Sequence, residues 1–474
     1  MKLLFKTILI ALFACFISTS HALKPVSING IAPFAKGKEI RFYYYDDLLS
    51  KTKILISSTK INDTGFFSVK IPALETRELI ININTTEGSF FIEPEKTYQL
   101  TLFTKEQLFN SLNATLLGNS INIRIEQSDS NELNWKINYF SQYYNYFLYK
   151  HAPAIIYLVD QSIYDSLMNI IIDKFPISDN PNDFYSVYVK FRLAEIDRIY
   201  YKKSYDKLYS KYLDSKYIYY HNPAYMDFLT AFFNNFLYSG TKYITKQILY
   251  QNINDLNNYF RLLDELGKEP MLVNEVIREI VLIQNLKSLF SYHEEFNLVN
   301  ILSLLKKAGE NTKFPEHKKM AENSIKQLML LQKGTTAPDF TLKTIHNETI
   351  KLSDFKGKYI YLHFFTTDCQ ECIREMLIIK KLHETYSQKV VFISVLLDFE
   401  TTRLYHFVNS HPEFKWKFTH FDNDFSFIDN YKVYALPLAI IFDKKGNILS
   451  YPAPDTEKMT SYFFSLFDPI NQKQ

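Results

Sequence analysis

Two cysteines separated by two residues, Cys369 and Cys372, are the side chains of this sequence best suited to covalent chemistry. A thiolate, rather than a thiol, is the form of sulfur that attacks a disulfide bond. Two cysteines at this spacing on one helical turn can close a small disulfide ring, so the pair can cycle between a dithiol and a disulfide. The spacing therefore predicts thiol–disulfide exchange.

The residues around the pair predict a strand, a turn and a helix. Residues 358–365 form an apolar run that is typical of a buried strand, and Thr366-Thr367-Asp368 is a short polar turn. After Cys372, apolar residues recur at helical spacing, at Met376, Ile379, Leu382 and Tyr386. Both cysteines then lie in the first turn of a helix, where free amide groups and the positive end of the helix dipole favour a thiolate.

Cysteine usage favours redox chemistry over a structural role. The chain has three cysteines, and one of them, Cys15, lies in a segment that we expect to be removed. Exported proteins commonly use cysteines as scattered structural staples. A zinc site would need two ligands beyond Cys369 and Cys372, and the nearest histidines, His363 and His383, lie back in the strand and further along the helix. We therefore expect no metal and no other cofactor.

The first 22 residues predict an export signal. Lys2 and Lys6 supply positive charge, residues 8–17 are almost wholly apolar, and Ser20-His21-Ala22 places small residues at the cleavage position. The apolar run is shorter than the ~20 residues needed to span a bilayer. Lipidation at Cys15 remains an alternative, because Leu12-Phe13-Ala14-Cys15 is a loose lipobox. Either route predicts a location in the periplasm or cell envelope.

The remaining chain is long enough for several domains. Its 54 basic residues nearly balance its 51 acidic residues, so charge offers no case for nucleic-acid binding. Residues 23–104 contain short β-prone runs separated by turn signals and predict a small β-sandwich. Residues 105–333 follow a helical pattern and predict an all-α domain. Its tyrosine-rich patches are either core faces of helices or a surface for an unfolded polypeptide or a glycan.

Residues 334–474 predict a third domain, of the α/β class. Gly334 and Pro338 lie in a run of helix breakers that ends the preceding helical pattern. Strands and helices then alternate, and a hairpin around Lys445-Gly446-Asn447 precedes a terminal helix. This order describes a mixed sheet flanked by helices.

The third domain closely resembles the thioredoxin-like domain of periplasmic thiol–disulfide oxidoreductases of the TlpA and ResA type. The motifs that carry the resemblance follow the family's order and spacing: Ala337-Pro-Asp-Phe-Thr-Leu, Leu352-Ser-Asp-Phe-Lys-Gly-Lys, Cys369-x-x-Cys372-x-x-Glu375, Leu436-Pro437 and Asp443-Lys-Lys-Gly446. The Gly65-Phe66-Phe67 turn and the order of elements also resemble the small β-sandwich that precedes such domains in some bacterial envelope proteins.

The resemblance implies a role for individual residues. Cys369 would be the attacking thiol, Cys372 the resolving thiol, and Glu375 a carboxylate that relays protons. Pro437 would be a cis-proline facing the disulfide, with Leu436 offering its backbone to an extended substrate. The substrates implied are disulfide-containing envelope proteins.

Three positions depart from the family pattern. Thr366-Thr367-Asp368 replaces an aromatic-rich segment, Leu377 stands where the family often has proline, and His363 occupies a strand position where cytoplasmic thioredoxins carry a buried aspartate. Both His363 and Glu375 can approach the buried thiol, so either is a candidate for tuning proton transfer at Cys372. The alternative is a core histidine and a solvated glutamate.

The charges beside the first cysteine predict a reductant or isomerase. Asp368 and Glu371 place carboxylates next to Cys369, and like charge disfavours its ionisation. Strong oxidants instead stabilise the thiolate with a cation or an imidazole. We expect a potential nearer to about −270 mV than to about −120 mV. An exported pair that is kept reduced needs an electron supply, so we also expect a membrane electron donor.

Two alternative functions remain open. Thr366-Thr-Asp-Cys369 matches the Thr-x-x-Cys core of peroxiredoxins, although Leu362 stands where that family has proline. The other alternative is a cell-envelope binding module with a secondary redox domain, because residues 23–333 form most of the chain.

Overall fold

The computed structural model describes residues 24–83, 86–104, 120–126, 129–157, 160–201, 204–292, 295–398, 400–422, 424–433 and 435–467. The predicted export signal and Cys15 lie outside these residues. Within the described ranges, no helix is both long enough and apolar enough to cross a membrane. A strand-rich region, a helical region and a mixed region follow one another along the chain, which confirms the predicted multidomain fold class.

Two four-stranded sheets form the N-terminal region. One sheet has the order β4 (Phe66–Ala73), β1 (Lys24–Ile31), β7 (Thr97–Thr104) and β8 (Ile121–Ile125). The other has the order β3 (Thr52–Lys60), β2 (Glu39–Asp47), β5 (Arg77–Ile83) and β6 (Thr86–Ile92). Alternate side chains of each strand point into a shared core, as Phe67, Val69 and Ile71 of β4 do. This arrangement is the small sandwich that the sequence predicts.

The first sheet continues beyond residue 104, where we expected the helical region to begin. β8 pairs antiparallel with β7, placing Ile121 opposite Thr104 and Ile125 opposite Leu100. The segment Ile-Asn-Ile-Arg-Ile alternates with a period of two, which is a strand pattern, and it supplies the hydrogen-bond partners that β7 needs on that side. The predicted start of helical structure at residue 105 is therefore corrected: the first helix described after β8 begins at Leu133.

The central region consists of helices packed around one core. They are α1 (Leu133–Ile156), α2 (Gln161–Lys174), α3 (Phe184–Tyr200), α4 (Tyr205–Leu208), α5 (Pro223–Phe232), α6 (Phe236–Ser239), α7 (Lys246–Tyr250), α8 (Tyr259–Leu266), α9 (Glu275–Leu289), α10 (Leu298–Asn311) and α11 (Pro315–Met329). In the tyrosine-rich patches, Tyr200 and Tyr212 are buried in the core, as predicted for core faces of helices, whereas Tyr146 and Tyr149 are exposed.

The third region is a seven-stranded sheet with helices on both faces. Its strands are β9 (Thr341–Thr344), β10 (Thr349–Lys351), β11 (Tyr359–Phe365), β12 (Val390–Leu396), β13 (Lys417–His420), β14 (Leu438–Phe442) and β15 (Ile448–Ser450), in the order β10-β9-β13-β12-β11-β14-β15. Its helices are α12 (Gln370–Tyr386), α13 (Thr401–Ser410), α14 (Phe425–Asn430) and α15 (Thr456–Phe467). β11, β12 and β13 are parallel, and β14 is antiparallel to β11.

The central strand β11 is buried on both faces. Tyr361 and Phe365 belong to the core that also contains Cys372 of α12, whereas Ile360, Leu362 and Phe364 belong to the core on the opposite face of the sheet. Successive side chains of a strand point to opposite faces, so His363 shares the face of Tyr361 and Phe365. This alternation directs His363 towards the helix that carries the cysteines.

Helix α11 connects the three regions. Asn323 Nδ2 donates hydrogen bonds to Asp46 Oδ2 at 2.8 Å and to Asp47 Oδ2 at 2.9 Å, at the end of β2. From the third region, Lys432 Nζ donates to the carbonyl oxygen of Gln327 at 3.0 Å. The sandwich, the helical region and the third region therefore meet at one helix.

Candidate active site

The cysteine pair lies at the N-terminus of α12, as the sequence predicts. Cys369 is the N-cap residue, and the backbone N–H of Cys372 donates to its Sγ at 3.1 Å. The two sulfurs form a disulfide, so the structure shows the oxidised state. Cys369 is partly exposed, whereas Cys372 is fully buried. The predicted difference in accessibility is confirmed.

The carboxylates beside the pair both have an arginine as a neighbour. Asp368 is 88% exposed, and its Oδ2 lies 3.6 Å from a guanidinium nitrogen of Arg403. Glu371 forms an ion pair with Arg374, one turn further along α12. We expected these carboxylates to disfavour ionisation of Cys369. The arginines reduce that effect, because each offsets part of the negative field at the first cysteine.

The sequence analysis did not identify Asp398 and Arg403 as residues near the cysteines. Asp398 Oδ2 accepts the backbone N–H of Thr367 at 2.8 Å, and Arg403 donates to Thr367 Oγ1 at 3.2 Å. Both residues follow β12, which is the parallel neighbour of β11. Segments that follow parallel neighbours leave the sheet at the same edge. This rule could have predicted from the sequence that Asp398 and Arg403 lie near the cysteines.

His363 and Glu375 form a pair behind the cysteines. The imidazole Nε2 of His363 lies 3.8 Å from Oε2 of Glu375. Full burial lowers the pKa of His363 to about 3, so the ring is neutral at physiological pH. Burial raises the pKa of Glu375, and the charges of Glu371 and Asp455 add to that effect. The structure thus brings together the two residues that the sequence nominated for proton transfer.

A hydrogen-bond chain orients the imidazole of His363. The indole N–H of Trp416 donates to Ser394 Oγ at 2.8 Å, and Ser394 Oγ lies 3.2 Å from His363 Nδ1. Because the hydroxyl accepts from the indole, we assign its hydrogen to the bond with Nδ1. The ring hydrogen is then on Nε2, which faces Glu375. Among the described residues, Nε2 has no hydrogen-bond partner, because its 3.8 Å distance from Oε2 of Glu375 is too long for a hydrogen bond.

The Leu436-Pro437 peptide bond is cis, as the resemblance to thioredoxin-like domains implied. Strand β14 begins at Leu438, which pairs with Phe364 near the end of β11. Leu436 and Cys369 both pack against the core that contains Cys372. The segment therefore lies at the same edge of the sheet as the cysteine turn.

Within the described residues, no group of histidine, cysteine, aspartate and glutamate side chains has the arrangement of a metal site.

Comparisons with known proteins agree on the third region. Residues 333–450 match the model of the AhpC/TSA family. The chain is 33% identical over 127 residues to the thioredoxin-like protein YneN of Bacillus subtilis (strain 168), which covers 26% of this chain and 63% of that protein. It is also 33% identical over 122 residues to the thiol-disulfide oxidoreductase ResA of Bacillus anthracis, which covers 25% of this chain and 68% of that protein.

A solved thioredoxin domain of a thiol-disulfide oxidoreductase from Bacteroides vulgatus is 21% identical, with a TM-score of 0.26, and covers 28% of this chain and 98% of that one. The chain spans 63% of the length of the YneN relative and 66% of the length of ResA from Bacillus cereus (strain ATCC 10987 / NRS 248).

Proposed function

Through its third region the chain belongs to the thioredoxin-like family of thiol–disulfide oxidoreductases that includes ResA, and we propose that it reduces or isomerises disulfides of cell-envelope proteins. The observation that carries this proposal is the pair of sulfurs at the start of α12. One sulfur is accessible to a substrate, and the other is buried directly behind it. That arrangement suits an attacking thiol followed by a resolving thiol.

The proposed reaction transfers two electrons from the protein to the substrate. The Cys369 thiolate attacks one sulfur of a substrate disulfide, forms a mixed disulfide and releases the other substrate sulfur as a thiolate, which takes up a proton. Cys372 then loses its proton and attacks the Cys369 sulfur. The second substrate sulfur leaves as a thiolate, and the Cys369–Cys372 disulfide is restored. For an isomerase, a different thiolate of the substrate attacks the substrate sulfur of the mixed disulfide instead, which forms a new substrate disulfide and releases the Cys369 thiolate.

Glu375 is the proposed acceptor of the Cys372 proton. It lies one helical turn after Cys372, where i and i+3 side chains are neighbours. Its raised pKa makes it a better base than a solvated carboxylate. The neutral His363 is a poor base, and its role in this proposal is to face the carboxylate and hold it beside the thiol.

The Leu436-Pro437 segment is the proposed substrate contact. Its support is its position at the edge of the sheet where the Cys369 turn lies. A substrate strand lying across this edge would place its disulfide beside Cys369 and its backbone beside Leu436. The proposal also includes export to the periplasm or envelope. It further includes a membrane electron donor that reduces the Cys369–Cys372 disulfide.

Peroxide reduction is a second candidate function. The match to the AhpC/TSA family and the Thr366-Thr-Asp-Cys369 segment favour it. In that reaction Cys369 would be oxidised by the peroxide to a sulfenic acid, and Cys372 would displace water to form the disulfide. The third candidate, a binding module, rests on the size of the sandwich and helical regions.

Two assays on one preparation distinguish these candidates. Insulin reduction with dithiothreitol tests disulfide exchange, and peroxide consumption with the same reductant tests peroxidase activity. We expect insulin reduction by the wild-type chain and none by a Cys369→Ser variant. Peroxide consumption without insulin reduction would support the peroxidase, and neither activity would support the binding module. A Cys372→Ser variant should then retain substrates as mixed disulfides for identification.

A further inference from the structure

The turn that precedes Cys369 is held by one residue of the loop after β12, Asp398, and by one residue of helix α13, Arg403. Asp398 Oδ2 accepts the backbone N–H of Thr367 at 2.8 Å. Arg403 NH1 donates to the hydroxyl of the same residue at 3.2 Å. Within the turn, the N–H of Cys369 donates to the carbonyl of Thr366 at 3.2 Å. The conformation that presents Cys369 to solvent is therefore stabilised by two side chains that follow β12.

Arg403 and Asp398 also stabilise each other. Arg403 NH1 lies 3.1 Å from Asp398 Oδ1, and the Asp398 side chain is only 10% exposed. A buried carboxylate is costly unless it is paired and hydrogen-bonded, so the guanidinium helps to keep Asp398 in this position. The backbone is held as well, because His420 Nε2 donates to the Asp398 carbonyl at 2.6 Å. His420 Nδ1 in turn accepts the N–H of Asp422 at 2.8 Å.

The position of Cys369 matters because its acidity depends on the helix terminus. A thiolate at the N-cap receives the N–H of Cys372 and lies at the positive end of the helix dipole. Both effects are short-range and fall off if the turn moves. Arg403 also brings a positive charge within 3.6 Å of Asp368, the residue next to Cys369. The same side chain thus acts on the geometry and on the charge of the turn.

We propose that Arg403 is a positioning residue that, through Asp398 and Thr367, keeps the Cys369 sulfur at the N-terminus of α12 and raises its thiolate fraction. The proposal rests on the disulfide-exchange function proposed above. It assigns Arg403 no contact with the substrate.

The pH dependence of Cys369 alkylation tests this role. The reduced full-length chain is treated with iodoacetamide across a pH series, and mass spectrometry follows the peptide that contains residue 369. In Arg403→Gln we expect the midpoint to move to higher pH and the rate at pH 7 to fall by about two- to fivefold, the range for an exposed ion pair. Arg403→Lys keeps the positive charge but not the planar set of guanidinium donors. Its midpoint should therefore lie between those of wild type and Arg403→Gln.

Arg374→Gln is the matched control, because Arg374 lies on α12 and pairs with Glu371 rather than with the turn. We expect its midpoint to lie closer to that of wild type than the Arg403→Gln midpoint does. A wild-type midpoint in both Arg403 variants, or an equal shift in Arg374→Gln, would overturn the proposal. Insulin reduction by the wild-type chain tests the proposed function separately. If the wild-type chain does not reduce insulin but the midpoint still shifts in Arg403→Gln, the proposed function is refuted and the effect of Arg403 on Cys369 is not.

Discussion

The Nε2 atom of His363 faces Oε2 of Glu375 across 3.8 Å, inside the core of the redox domain. The imidazole is fully buried and neutral, and the carboxylate has a raised pKa. Thr456 Oγ1 donates to the other carboxylate oxygen, Oε1, at 3.4 Å. The carboxylate therefore accepts one hydrogen bond, from Thr456, and faces the imidazole at a distance too long for a second, one helical turn from Cys372. We therefore expect the second half of the proposed exchange reaction to depend on this one acidic group.

We expect Glu375→Gln to slow the attack of Cys372 on the mixed disulfide. A carboxylate accepts a proton only when it is ionised, so the wild-type rate should rise with pH through the raised pKa of Glu375. In the variant that rise should disappear, and the rate at neutral pH should fall by about 100-fold, the lower end of what a positioned base contributes. Quenched-flow measurement of mixed-disulfide decay between pH 5 and 9 checks this, as those limits bracket the range of a raised carboxyl pKa.

Glu371→Gln is the control for this experiment, because Glu371 lies on the same helix but is exposed and paired with Arg374. Its rate should still rise with pH, but with a midpoint at lower pH than in wild type, because the charge of Glu371 contributes to the raised pKa of Glu375. An unchanged profile in Glu375→Gln would mean that Glu375 does not accept the Cys372 proton.

We expect the stability of the redox domain to fall as the pH falls below about 6.5, because of His363. The pKa of His363 is about 3 in the folded state, against a value of 6.5 for an unperturbed histidine. Below the higher value the unfolded chain binds a proton that the folded chain does not. Stability is therefore lost with acidification at about 1.4 kcal/mol per pH unit, or about 2 kcal/mol at pH 5. In His363→Asn this part of the dependence should be absent.

Urea unfolding followed by Trp416 fluorescence measures this effect. The chain has two tryptophans, so a Trp135→Phe background leaves Trp416 as the reporter, and Trp416 bonds to the same serine as His363. His406→Asn is the control, because His406 is exposed on α13. Equal pH dependence in wild type and His363→Asn would show that the buried histidine is not the cause.

After mild reduction, we expect alkylation to modify Cys369 before Cys372. Cys369 is partly exposed at the helix N-terminus, whereas Cys372 has no exposed surface. Limited iodoacetamide treatment followed by peptide mass spectrometry measures the order. Preferential labelling of Cys372 would reverse the proposed roles of the attacking and resolving thiols.

We expect the Cys369–Cys372 couple to be reducing, with a potential nearer to about −270 mV than to about −120 mV. Asp368 and Glu371 disfavour the Cys369 thiolate and so favour the disulfide, although the arginine beside each carboxylate offsets part of this effect. An exposed ion pair contributes up to about 1 kcal/mol, which corresponds to a shift of about 20 mV in the potential of a two-electron couple. Equilibration with glutathione buffers measures the potential of wild type and of Asp368→Asn/Glu371→Gln. A wild-type value above about −180 mV would contradict the predicted direction of electron flow.

We expect Asn323→Ala to weaken the contact between α11 and the sandwich. Asn323 is buried and donates to Asp46 and Asp47, and Asp47 is itself 2% exposed. Removing the donor leaves a buried carboxylate oxygen with one partner fewer, which costs about 1–3 kcal/mol. Thermal unfolding and limited proteolysis measure the loss. Glu322→Ala, an exposed neighbour on the same helix, should leave both unchanged.

Local sequence patterns were enough to predict much of the redox domain. The apolar run at residues 358–365 indicated β11, and the predicted hairpin and terminal helix are β14, β15 and α15. The placement of Cys369 at the N-cap of α12 and of Cys372 in its first turn follows from the helical spacing after Cys372. The Cys-x-x-Cys-x-x-Glu spacing also puts Glu375 one helical turn from Cys372, because i and i+3 residues are neighbours on a helix.

Contacts between distant residues were decided only by the tertiary structure. β8 joins the first sheet by pairing with β7, although the two strands are well separated in sequence. The helical pattern around β8 therefore could not predict its position in a sheet. The neutral state of His363 depends on burial and on Ser394, which lies on the neighbouring strand. The role of Arg403 depends on β11 and β12 ending at the same edge of the sheet. Residue spacing specifies neighbours within one element, whereas backbone pairing and burial bring together side chains that are far apart in sequence.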